Sequence, residues 1–439
     1  MTILQLSWKN ILEKPLNSFM SVLLFALSIG MITFILLFNY QLKKGLDSNL
    51  AGIDLVIGAK GSPVQLIFNS MYHIDDPTGN IKILEVSSLI NPKHPLIKKS
   101  VPLSSGDNYG SFRIIGTTPT ILDLYKAYEV KGEIFKHDYD VLIGHAVAEK
   151  LMLKVGDEFF STHGLIDDPE FAHDEGEPFV VTGILKSTGT VLDQLILCTP
   201  QTIWTVHEHD AHTHEGHHDH EHEHVASSRP LSFQPVDTNE IRVLSDTIIS
   251  QLRRFPDKEI TSVLMQFKNN KNIHVLNMPR NINQNTNVMA ASPAFEMSRV
   301  ANRLGTGTNA LQYMAILIAL VAAISIFISL YTSLKERRYE MALLRVGGAG
   351  PGKILQMIIG EGLWISIFGI IIGLILGHAG MEIAGNMLEK SYRYPFTGVL
   401  WLPEEWYIIV VGLLIGLLAA IIPAIQGSKT NLHQTLAQN

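Results

Sequence analysis

From Asn17 to Tyr40 the chain carries no charged side chain. About 20 such residues are enough to cross a bilayer as a helix, and in lipid the helix is how a single segment satisfies its own backbone. Three more apolar runs follow, Ala310–Leu334, Ile354–Gly377 and Trp406–Ile425. About 270 residues without a comparable run separate the first from the second. The first run is too long for the apolar part of a signal peptide, and Phe38-Asn39-Tyr40 is not a small-residue cleavage site, so it reads as a retained anchor. The chain is 46% hydrophobic and only 17% charged over 439 residues, and the deficit of charge sits in these four runs.

Basic residues near span ends set orientation. Lys9 and Lys14 precede the first run, Lys429 follows the last, and Lys335, Arg337, Arg338, Arg345 and Lys353 lie between the second and third. These place both termini and the 335–353 segment in the cytoplasm, with Lys43 and Lys44 as dissenting positions. The expected architecture is therefore a membrane α-helical protein. Four transmembrane helices span 17–40, 310–334, 354–377 and 406–425, and an α/β extracytoplasmic domain, 41–309, is inserted between helices 1 and 2. The remaining segments are a cytoplasmic N-terminus (1–16), a cytoplasmic segment (335–353), a short outer loop (378–405) and a cytoplasmic tail (426–439). Gly369, Gly373 and Gly377 in the third run, and Gly412 and Gly416 in the fourth, have the small-residue spacing that lets membrane helices approach closely. The alternative is glycine merely tolerated in lipid.

Within the outer domain, short β-prone runs at 54–63, Phe112–Thr117, Val141–Ile143, Phe179–Leu185 and Gln194–Cys198 predict strands. Ala146–Leu153 has helical spacing and leads into the turn Val155-Gly156-Asp157-Glu158 before another strand. Glu240–Val243 and Thr261–Gln266 are expected as strands with a helix, Ser245–Phe255, between them. A two-part domain divided near residue 207 is expected. The lone cysteine, Cys198, excludes an intramolecular disulfide and reads as a small buried apolar residue.

Residues 207–224 hold nine of the eighteen histidines: His207, His209, His212, His214, His217, His218, His220, His222 and His224. Six carboxylates are interleaved and the tract has no apolar residue larger than Ala211, so it is expected as a mobile loop that cannot form a core. Imidazole and carboxylate suit zinc, copper or nickel, and such a loop would bind several ions weakly. A low-complexity insertion without a role, and a pH sensor, are the other readings. Two smaller groups, His73/Asp75/Asp76 and His163/Asp167/Asp168/His173/Asp174/Glu175, are metal candidates that plain turns before Pro77 and Pro169 also explain.

Some chemistries are excluded. Gly347–Lys353 looks like a phosphate loop, but Ile354 stands where a magnesium-binding hydroxyl is needed and no strand precedes it. The chain is expected to bind no ATP itself and no cofactor tightly. HExxH, GxSxG and CxxC are absent, and a net charge of −7 without a basic face argues against nucleic acid. Glu361 and His378 are the few intramembrane ionisable groups, both near span ends, so a proton relay across the bilayer is not expected.

The stretch Lys335–Gly350, with Glu336-Arg337-Arg338 followed by Glu340, then Leu344-Arg345 and Gly347, resembles the cytoplasmic segment of the FtsX-like/MacB-like (type VII) ABC transporter permease family. Gln356, Glu361 and the spaced glycines of the third run fit it, as does Ile421-Ile-Pro-Ala-Ile-Gln-Gly427. Pro102-Leu-Ser-Ser-Gly-Asp-Asn108, Ile143-Gly-His-Ala-Val-Ala148 and Leu153-Lys-Val-Gly-Asp157 are similar to the family's periplasmic core domain. The resemblance implies a non-catalytic permease of the bacterial inner membrane, its large domain in the periplasm. It implies a homodimer joined to a separate ABC ATPase in trans, which would act through Glu336, Arg337, Arg338, Glu340, Arg345 and Gly347 to move the outer domain for efflux or envelope transport. The alternative it implies is that a periplasmic partner or adaptor is moved instead, as in FtsX-like mechanotransmission. The histidine tract departs from the common pattern and resembles a zinc-linked subset, which would make metal uptake a further alternative.

Overall fold

The computed structural model describes residues 3–13, 15–74, 76–161, 177–211, 232–392 and 396–428. The chain divides into two compact units: Lys44–Ala301 with Ser391–Tyr394 forms one, and Met1–Lys43, Asn302–Lys390 and Pro395–Asn439 form the other.

The second of these units is helical. It begins with α1 (Ile3–Glu13) and α2 (Pro15–Leu50), where Pro15 occupies a first-turn position that needs no N–H. In chain order the other unit then contributes β1 (Leu55–Ala59), α3 (Pro63–Ile67), β2 (Ile81–Lys82), α4 (Ile83–Val86), β3 (Ile97–Tyr109), β4 (Phe112–Thr117), α5 (Thr120–Tyr125), β5 (Glu129–Gly132), β6 (Asp140–Ile143), α6 (His145–Leu151), β7 (Glu158–Phe159), β8 (Phe179–Leu185), β9 (Leu195–Cys198), α7 (Pro200–Ala211), β10 (Gln234–Pro235), α8 (Thr238–Leu252), β11 (Glu259–Ile260), β12 (Ser262–Phe267), α9 (Ile273–Asn285) and β13 (Val288–Ala291). The chain returns through α10 (Pro293–Glu336), α11 (Arg338–Val346), α12 (Pro351–Tyr392) and α13 (Glu405–Ser428).

Among the described residues, four helices, α2, α10, α12 and α13, are long and apolar enough to cross a membrane. Three of them outrun the apolar windows. α2 continues past Tyr40, α10 starts before Ala310, and α12 continues through most of the segment expected as an outer loop. Hydropathy marks where lipid could be met and says nothing about where backbone hydrogen bonding stops. The bundle closes on its small residues. A Cβ on Gly369 would stand 2.6 Å from Phe25, on Gly373 2.6 Å from Ile29, and on Gly377 2.7 Å from Thr33, so α12 meets α2 nearly backbone to backbone. Gly412 and Gly416 of α13 face Ile370 and Ser366 of α12. Phe25, Ile29, Ala322, Ile326, Leu330, Ile365 and Ala420 fill the centre.

The other unit is built on an 11-stranded sheet, ordered β10-β5-β8-β6-β9-β4-β3-β12-β1-β13, with β7 on β8, and β2 and β11 pair separately. It is mostly antiparallel, with parallel pairs β4–β9 and β6–β8. In β9 the alternation of side chains sends Leu195 and Leu197 to one core and Ile196 and Cys198 to the other. Cys198 is thus buried, and burial pushes its thiol well above the ordinary value.

Two expectations are corrected here. Glu240–Val243 is not a strand but the first turns of α8: Asp237 caps that helix by accepting from Asn239 N–H, and Ile241, Ser245, Ile248, Ile249 and Leu252 form its buried stripe. The helical period overrides the β-prone Ile and Val. Nor does the domain divide near residue 207. β12, after the histidine tract, lies between β3 and β1, before it, so both sides of the tract build one sheet.

Candidate coupling site

α10 and α11 are separated by a single residue. Arg337 leaves helical geometry (φ −99°, ψ 15°), yet its N–H still reaches Ser333 C=O and its C=O still accepts from Met341 N–H. The break turns α11 so that Met341 and Ala342 are buried, Met341 against Leu334, Ile354, Met357 and Ile358. Tyr339, Leu343, Leu344 and Val346 remain exposed, Val346 at 65%. After Val346 the helix stops on Gly347 and on Gly348, whose φ of +94° is a glycine conformation. Gly347 N–H donates to Leu343 C=O and Ala349 N–H to Leu344 C=O. The glycine-rich stretch is thus a helix stop feeding Pro351, the first residue of α12.

Arg337 is nearly buried and gathers carboxylates from three elements. It pairs with Glu13 of α1, with Glu340 of α11 at 3.3 Å and with Glu361 of α12 at 3.8 Å. Glu361 is buried and accepts from Asn10 Nδ2 at 2.5 Å. One turn earlier in α1, Ser7 Oγ donates to Met357 C=O at 2.9 Å. Between these elements lies a cleft of about 270 Å³ lined by Leu6, Asn10, Glu13, Arg337, Glu340 and Glu361 among others. A single guanidinium therefore ties α1, the α10–α11 break and α12 into one polar joint.

Of the residues singled out in sequence, Arg337 and Glu340 are in this joint. Glu336 ends α10 on the surface, Arg345 is half-buried near the end of α11, and Gly347 is its exposed cap. Arg338 opens α11, and its side chain lies outside the described residues. Sequence reading missed Ser7, Asn10 and Glu13. The spacing of Ile3, Leu6, Ser7, Asn10 and Ile11 is an amphipathic helix pattern that could have revealed α1.

The histidine tract enters the structure only where α7 carries the chain through Ala211; 212–224 lie outside the described residues, as do Asp75 and the 163–175 group. His73 is buried with a left-handed φ of 53°, while Asp76 is exposed and 3.9 Å from Arg113. Among the described residues no group of three or more His, Cys, Asp or Glu is placed to hold a metal ion.

Comparison with known proteins addresses both units. Residues 313–432 match the FtsX-like permease C-terminal model, and residues 18–221 match the MacB-like periplasmic core domain model. The chain belongs to the FtsX-like/MacB-like ABC transporter permease family. An uncharacterized ABC transporter permease of Methanocaldococcus jannaschii is 29% identical over 139 residues, which are 31% of this chain. The chain spans about a third of that relative's length, 34%. In this chain the polar joint joins matched and unmatched residues: Arg337, Glu340 and Glu361 lie inside the C-terminal match, and the α1 residues precede both matched regions.

Proposed function

We propose that this chain is the non-catalytic permease subunit of an FtsX/MacB-type ABC system, working as a homodimer with a separate ATPase. Four helices cross the bacterial inner membrane, and the domain at 44–301 stands in the periplasm. ATP hydrolysis in the partner moves that domain for efflux or envelope transport. The observation that carries this reading is α11. It is an amphipathic helix whose inner side, Met341 and Ala342, is held on the bundle, while Tyr339, Leu343 and Val346 are exposed beside Glu340 and Arg345. A short helix with an apolar surface ringed by charge is what a docking partner needs. The Arg337 joint lets a push on α11 reach α10, α12 and α1 together.

The test is copurification of an ABC ATPase with the full chain, and ATPase turnover in nanodiscs. L343D/V346D is expected to abolish capture of the ATPase without unfolding the permease. A chain that captures no ATPase in either form would end the reading.

The histidine content favours a second component, weak zinc binding at 207–224, with His207, His209, His212, His214, His217, His218, His220, His222 and His224 sharing several ions. Removing 207–224 is expected to abolish zinc binding by the full chain. Unchanged stoichiometry after the deletion would show that the tract is not the site.

A further inference from the structure

Between α1, the break at Arg337 and α12, the helical unit contains a cleft of about 270 Å³. Its lining mixes two chemistries. Leu6, Leu330, Leu334, Met341, Leu344 and Met357 offer aliphatic and thioether surface, while Asn10, Glu13, Ser333, Arg337, Glu340 and Glu361 offer polar groups. A cavity of about 150 Å³ holds one benzene. By that measure the cleft has room for a ligand of about eleven non-hydrogen atoms.

Charge decides what such a space attracts. Among the described lining residues Arg337 is the one cation, and it meets a different carboxylate on each nitrogen: Glu13 on Nη2, Glu340 on Nε and Glu361 on Nη1. One guanidinium against three carboxylates leaves two negative charges in excess, beside apolar surface that weakens screening. Glu361 is buried, whereas the side chains of Glu13 and Glu340 are 61% and 65% exposed, so these two stand where the cleft meets solvent. Nearby Glu336 is exposed and only adds to the excess; Lys9 and Lys335 are exposed and do not line the cleft. An anion is therefore disfavoured. A bare metal ion is disfavoured as well, because the carboxylates are spread around the guanidinium, and no group of three among the described residues is placed to hold one. An organic cation with an apolar body fits both the charge and the leucine and methionine surface.

We propose that the cleft binds an amphiphilic amine of about this size, its ammonium shared by Glu13 and Glu340 and its apolar part lying on Leu334, Met341 and Met357. Such a ligand would bridge α1 to α11 and pin α11 to the bundle. Binding does not depend on α11 docking an ATPase: a chain that captured no ATPase would still take the amine.

Saturation-transfer NMR on the full chain in phosphatidylcholine nanodiscs tests this, with empty discs as the blank. Three probes of one size differ in charge: phenylbutylamine, phenylbutanol and phenylbutanoate. The amine is expected to bind saturably with a Kd on the order of 0.1–1 mM. The alcohol should bind about tenfold more weakly, and the carboxylate not at all. E13Q and E340Q each keep the side-chain size and remove one charge at the exposed rim; each should weaken the amine about fivefold and leave the alcohol unchanged. S333L fills the cleft with its four charged groups intact and should abolish binding of both. Glu13 is largely exposed, so E13Q keeps the test decisive if S333L fails to fold. Phosphatidylethanolamine added to the discs identifies the source of the ammonium: a higher apparent Kd for the probe assigns it to the bilayer, an unchanged one to a free amine. Equal Kd values for amine and alcohol, or an amine Kd unmoved by both E13Q and E340Q, overturn the proposal.

Discussion

At the residue scale, Arg337 and Asp123 show how single charges are made to serve a fold. Arg337→Ala would leave Glu361 buried without its guanidinium, a loss on the order of 3 kcal/mol for a broken buried pair. The expected result is a clear drop in thermal unfolding temperature in nanodiscs, with Arg337→Lys intermediate, because an ammonium cannot reach three carboxylates at fixed fork geometry. Asp123 lies on the other unit. Burial pulls its carboxyl up, but hydrogen bonds from Lys99 and Tyr128 and the charges of Lys99 and Lys98 outweigh this and hold it below the ordinary value. A depressed carboxylate stabilises the fold above its unfolded value, about 4, and that contribution is lost as pH falls through the folded value. Tyr128 responds at the opposite end. Its hydrogen bond to Asp123, then burial, push it up to about 12, so its contribution is complete below about 10 and fades as pH rises through 12. Asp123→Asn is expected to cost about 1 kcal/mol near neutrality. It should also flatten the acid limb of stability below about pH 4, both read by hydrogen exchange at β3 and α5. An unchanged acid limb would remove Asp123 from the account.

At the element scale, helix contact is governed by what is missing from glycine. Gly373→Leu would drive a side chain into Ile29 and the Ala26 carbonyl and should separate α12 from α2, seen as loss of monodisperse protein in detergent. Gly348→Ala has open space around it but a φ of +94°, so it should cost only about 1 kcal/mol of backbone strain and leave the bundle intact. These glycines were visible in sequence as a spacing; which helix they faced was not, because spacing carries no partner. The same holds for the strands. Phe112–Thr117 and Phe179–Leu185 were legible because a short β-prone run is a local signal; β4 is buried along its whole length and β8 along most of it. The 13-residue β3 was not, since Lys98, Lys99, Pro102 and Gly106 interrupt its pattern and its identity comes from pairing with β12 and β4. In the polar joint, Arg337 and Glu340 were legible through their motif. Asn10 and Glu13 were not, because they act across more than three hundred positions of sequence.

At the scale of the whole molecule, the chain folds as two compact units, and four of its described helices are long and apolar enough to cross a membrane. The sheet gives this chain one more property. β12 is hydrogen-bonded between β1 and β3, and β13 pairs β1 on its other side, so strands from both sides of residues 207–224 form adjacent rungs. A peptide bond cut inside that tract would therefore yield two polypeptides that remain interlocked by backbone pairing. Two gene fragments ending and beginning within 212–224 should, when coexpressed, reassemble into a working protein and elute together. An affinity tag on one fragment that failed to retain the other would show that β12 cannot close the sheet without a continuous chain.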